Sequence, residues 1–85
     1  MLDGIYLMGV LIEERAVHGP EVQEVLTRYG SVILNRSGIP DPSRKRGIIS
    51  VTFQADEAGA EKFRQDLLRV PGVRAEAVRL GDALT

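Results

Sequence analysis

The sequence predicts an α+β sandwich of order βαββαβ, the ferredoxin-like arrangement, with a four-stranded antiparallel sheet and two helices on one face. Three observations predict it. Residues 5–12 are apolar on both alternating faces, as in a buried central strand. Two later stretches, one around Val22–Tyr29 and one around Ala60–Val70, carry apolar residues at helical spacing. Between and after them lie three further strand-like runs, so two βαβ crossovers meet through a central hairpin. Right-handed crossovers then place both helices on the same side. A chain of 85 residues is expected to be one domain, 1–85, with its core at about residues 5–80.

The elements follow in order. Gly9 inside the first strand suggests a close backbone approach or a bulge. Gly19-Pro20 reads as a helix start, because proline at the first helical position forfeits no hydrogen bond. Val22, Val25, Leu26 and Tyr29 form the buried stripe of that helix, and Gly30 ends it. Val32-Ile33-Leu34 opens a second strand that turns polar at Asn35-Arg36-Ser37, and residues 38–47 form the longest loop. In the third strand, Ile48–Gln54, one face holds Ile49, Val51 and Phe53. Asp56 is placed to cap a second helix, with Ala60, Phe63, Leu67 and Val70 buried and Pro71-Gly72 stopping it. Val73–Leu80 is the fourth strand, and Gly81–Thr85 reads as a frayed tail.

Composition narrows the function classes. There is no cysteine, so no disulfide, thiolate ligand or cysteine nucleophile. Eleven basic residues stand against twelve acidic ones, and residues 1–46 hold six of each. That balance argues against a protein built for non-specific nucleic-acid binding. The run 5–12 is too short to span a bilayer and is followed by Glu13-Glu14 rather than a cleavage pattern. A cytoplasmic location is the expectation.

Catalysis has few candidates. His18 is the one histidine, expected on the surface, and no serine sits in a nucleophile elbow. We therefore expect no enzyme, no resident metal and no cofactor; a lone histidine cannot build a transition-metal site within one chain. The alternative reading is a nucleic-acid module. Arg46-Gly47-Ile48-Ile49-Ser50-Val51-Thr52-Phe53 matches part of an RNA-binding strand pattern but lacks two of its stacking rings. Arg36, Arg44, Lys45 and Arg46 would then contact phosphates. A solvated loop is the simpler account of these charges. A small anion could instead meet the helix start, between Glu14 and Gly19, where free amides and the helix dipole favour negative charge.

One sheet face lacks a helix to cover it. In the first strand Ile5, Leu7 and Leu11 point one way and Tyr6, Met8, Val10 and Ile12 the other. One set meets the helices, and the other is an apolar stripe for a second subunit. Tyr6, Met8, Val10 and Ile12 are the expected interface, with the opposite assignment open. A homo-oligomer, dimer or tetramer, is expected.

Several segments together carry a family resemblance: Gly9-Val10-Leu11-Ile12-Glu13-x-Arg15, Leu26-x-x-Tyr29-Gly30, Arg36-x-Gly38-Ile39-Pro40, Ile48-Ile49-Ser50 and Val70-x-Gly72-Val73. The chain resembles the iron-only hydrogenase system regulator family of short, stand-alone ACT-like domains. It is also similar to the C-terminal domain of the nickel-responsive repressor, whose histidine and cysteine nickel ligands are missing here. The resemblance implies an ACT-type fold, self-assembly, and a regulatory or ligand-sensing role. An amino-acid-like or anionic ligand and a regulatory protein partner are the expected partners. Arg36, Gly38, Ile39 and Pro40 are the first candidates for a ligand site, with Arg15 and Gly19 second. Arg36 would pair a carboxylate or phosphate through its planar fork. Gly38 and Pro40 would shape its loop, although Gly38-Ile39-Pro40 is read equally well as a plain turn. Two features depart from the family pattern: an extra residue near Gly19-Pro20, and a longer, more basic loop at Asp41–Arg46.

Overall fold

The computed structural model describes residues 3–43 and 45–84, without the side chain of Pro40. The elements are β1 (Gly4–Ile12), α1 (Arg15–Arg28), β2 (Ile33–Pro40), β3 (Gly47–Ala55), α2 (Glu57–Leu68) and β4 (Val73–Asp82). The strands form one antiparallel sheet in the order β2-β3-β1-β4. The most apolar strand, β1, lies in the interior of the sheet, as its two-sided hydrophobicity demands.

The buried face decides where the helices sit. Tyr6, Met8, Val10 and Ile12 on β1, Ile49, Val51 and Phe53 on β3, and Val73 and Ala75 on β4 are all buried. They share one core with Val22, Val25 and Leu26 of α1 and Ala60, Phe63 and Leu67 of α2. Aromatic rings knit it together. Tyr6 stacks on Phe53, Phe53 meets Phe63 edge-on at 4.9 Å, and Tyr29 stacks on Phe63 at 4.2 Å. The expected interface set Tyr6, Met8, Val10 and Ile12 is thereby corrected. Those side chains are the floor of the core, and the helices cover them. The opposite set faces outward, with Leu7 46% exposed beside Val78 at 61%.

Four local expectations change. Helix α1 begins at Arg15, not at Gly19-Pro20. Glu14 takes a left-handed conformation (φ 48°), and its carbonyl accepts from the amides of Val17 and His18. Pro20 lies inside the helix. Proline clashes with the β-carbon of the residue before it, and Gly19 has none. Strand β2 runs on to Pro40, pairing Gly38 with Ile49 and Ile39 with Ile48, so residues 38–40 are strand and not loop. Proline is tolerated there because β2 is an edge strand. Strand β4 extends to Asp82, and the chain after it is bonded: Ala83 N donates to Asp3 O at 3.0 Å, and Leu84 N to the Gln54 side-chain oxygen. Gly9 marks no close approach; a β-carbon there would meet nothing within 4 Å. The sheet's register shifts fall instead between Ile5 and Tyr6, against β4, and between Ile33 and Asn35, against β3.

Helix α2 starts as expected, with Asp56 Oδ1 accepting from Gly59 N at 2.7 Å. Among the described residues no helix is long and apolar enough to cross a membrane.

Candidate functional site

Helix α1 carries Arg15, Gly19 and Gln23 at intervals of four, so they lie along one side of the helix. That side faces the ends of β2 and β3. Across from it Gly38, held on the helix face by its pairing with Ile49, presents no side chain. With a glycine on each wall, a cleft of about 230 Å³ opens between helix and sheet. Ile12 and Ile49 line its apolar depth, and Ile39 and Ile48 add to the lining. Hence Arg15, Gly19, Gly38 and Ile39, drawn from two separate parts of the sequence, come together.

Arg15 is set by its surroundings. Its amide donates to Lys45 O at 2.8 Å, which latches the β2–β3 loop to the helix start. Its stem lies over Gly47, where an added β-carbon would be 2.8 Å from Arg15 Cδ. The side chain is half-buried, and its guanidinium has no ion pair or hydrogen bond among the described residues. Gln23 likewise makes no side-chain bond there. The expectation of free amides at Gly19 gives way, because Gly19 sits well inside the helix.

Arg36 stands apart. It lines a second hollow with Thr27, Gly30 and Asn35, towards the far end of α1. The Pro40 side chain and Arg44 lie outside the described residues.

One cation of the basic loop, Arg46, has carboxylate neighbours. Arg46 lies 3.3 Å from Asp41 and 3.9 Å from Glu13. Hydrogen bonds from Ser43, and then the Arg46 charge, hold the Asp41 carboxyl below its usual range. Of the four cations expected to contact nucleic acid, Arg46 therefore already has carboxylate partners.

Two groups escaped the sequence reading. His18, expected on the surface, is only 18% exposed in its side chain and packs by the Gly72 turn, with Nδ1 buried and unbonded among the described residues. Between the helices, Tyr29 Oη donates to the Asp66 carboxylate, and Lys62 Nζ reaches Tyr29 Oη at 3.1 Å. The Tyr29 bond, followed by the nearby Lys62 and Arg69 charges, holds the Asp66 carboxyl below its ordinary pKa. Both arrangements join residues too far apart in sequence for spacing to reveal. Among the described residues no three histidine, aspartate or glutamate side chains gather as a metal site.

A family model for TM1266-like proteins, described provisionally as an iron-only hydrogenase system regulator, matches residues 4–76. Among solved structures, the uncharacterized protein TM1266 of Thermotoga maritima superposes with a TM-score of 0.86 at 26% identity, covering 92% of this chain and 98% of that one. The C-terminal domain of the MgtC protein of Mycobacterium tuberculosis matches with a TM-score of 0.71 at 15% identity, over 99% of this chain and 94% of that domain. A formyltetrahydrofolate deformylase of Pseudomonas putida matches with a TM-score of 0.60 at 16% identity, over 87% of this chain but 28% of the enzyme. These last two share the fold. No curated protein matches the chain.

Proposed function

The chain belongs to the TM1266-like, iron-only hydrogenase system regulator family, and from that premise we propose that it is a ligand-sensing regulatory domain rather than an enzyme. It binds a small anion in the cleft between α1 and β2 and self-associates through the outer sheet face. The observation that carries the reading is Arg15: a half-buried arginine, unpaired among the described residues, in the lining of a glycine-walled hollow. A guanidinium without a carboxylate partner is a ready fork for an anion, and an anionic ligand would supply the opposite charge.

Self-association is supported by the outer face. Leu7 pairs with Val78, and Ile48 pairs with both Leu11 and Ile39, giving apolar side chains on all four strands. Such a patch favours burial against a second copy. The β4 edge is partly occupied, since Arg64 Nε donates to Ala75 O at 2.8 Å.

The test is nuclear magnetic resonance of the full chain with a panel of small anions, read at the amides of Gly19, Gly38 and Gly47. Movement of these amides supports sensing in the cleft. A panel that moves none of them removes the reading.

A further inference from the structure

The walls of the cleft also say which kind of anion fits. Its charged and polar side chains are Arg15 at one end and Gln23 two helical turns away, about 12 Å along the axis at 1.5 Å per residue. Between them run Gly19 and Gly38, with Ile12 and Ile49 beneath. No aspartate or glutamate lines it among the described residues. Resting on the ligand-sensing reading above, we infer that the cleft takes an aliphatic monocarboxylate that lacks an α-ammonium group.

The chemistry selects in two steps. Arg15 offers a planar fork of donors that fits a carboxylate. An amino acid would bring an ammonium close to that same guanidinium, and no lining carboxylate would offset either the repulsion or the lost hydration. An acid without the amine avoids both penalties. Its hydrocarbon body replaces water against Ile12 and Ile49, where burial is favourable. The cleft, at about 230 Å³, has room for a short aliphatic chain. Filling the cleft from the protein side should compete with this ligand. A β-carbon at Gly38 meets only Ile48 O, at 4.0 Å, so a longer side chain there has room to occupy the hollow.

Leucine and 4-methylpentanoate differ only in the ammonium group, and they make the decisive pair. Both are titrated against the full chain, with inorganic phosphate as a third probe, following the amides of Gly19, Gly38 and Gly47. The expected result is that 4-methylpentanoate moves all three and binds at least tenfold more tightly than leucine. Arg15→Gln should weaken it at least tenfold, and Gly38→Leu should abolish binding while the other amide resonances stay in place. Leucine binding as tightly as 4-methylpentanoate would overturn the ligand class and leave the sensing reading intact. Phosphate moving the three amides while neither acid does would overturn the ligand class in the same way. Silence from all three probes overturns the ligand class, and the wider anion panel then decides the sensing reading.

Discussion

The stem of Arg15 lies across Gly47, close enough that a β-carbon on Gly47 would stand 2.8 Å from Arg15 Cδ. This contact joins the start of α1 to the start of β3, beside the cleft that Arg15 lines. The obstructed atom belongs to a flexible side chain, so relief requires moving Arg15 and not the backbone. Gly47→Ala should change stability by less than about 1 kcal/mol in denaturant unfolding. It should nonetheless weaken carboxylate binding several-fold, by moving the fork. Unaltered affinity would show that Arg15 does not contact the ligand.

Leu7 and Met8 are neighbours on opposite faces of β1. Leu7→Glu exposes a charge to water and should leave stability within about 0.5 kcal/mol while dissociating any oligomer held by the outer face. Met8 is fully buried. A glutamate there must bury a charge or drag it to the surface, at several kcal/mol, against a total stability of about 5–15 kcal/mol. Met8→Glu should therefore be largely unfolded. Light scattering behind size exclusion, with circular dichroism on each variant, checks both. A wild type that elutes as a monomer would remove the self-association proposal.

Tyr29 and Asp66 set a dependence on acid. The Tyr29 hydrogen bond is the chief cause of the lowered Asp66 value. A carboxyl held below its unfolded value of about 3.9 adds stability that is fully present above that pH. The contribution is lost as pH falls through the lowered folded value. Tyr29→Phe should thus be less stable than wild type at pH 7, and the gap should narrow below about pH 4. Urea unfolding at both pH values measures it. A gap that stays constant with pH would mean the loss does not come through the Asp66 carboxylate.

Glycines 9 and 72 should respond to alanine with opposite signs. Gly72 has φ +76°, and its added β-carbon would be 3.3 Å from the His18 ring and 3.4 Å from Glu13 O. Gly72→Ala should cost about 1–2 kcal/mol from the left-handed backbone alone. Gly9 has open space around it and an ordinary backbone angle. Gly9→Ala should be neutral to stabilising by about 0.4–1 kcal/mol, since it restricts the unfolded chain. Thermal unfolding of the two variants tests the contrast.

Much of the candidate site was visible in the chain, but in fragments. Gly38 and Ile39 stood out in one motif and Arg15 and Gly19 in another, and the structure brings these four to one cleft. Arg36, which belonged to the first motif, goes to a different hollow because it lies nearer the far end of α1. Gln23 carried no signal at all, since a glutamine on a helix is ordinarily just a solvated residue.

What the sequence determined by itself were the local and periodic features. The order of elements, the inward stripe of α2, its Asp56 cap and the interior position of β1 all depend on residues a few places apart or on hydrophobicity along one strand. What only tertiary structure decided depended on distant partners. Strand β1 is apolar on both sides, so its own alternation could not tell Leu7 from Met8; the helices, packing on the Met8 side, made the choice. The start of α1 likewise escaped local rules. Lys45 O takes the amide of Arg15 and Gly72 O takes that of Glu13, two bonds from remote turns that secure the chain just where the helix begins, and Pro20 is carried inside it.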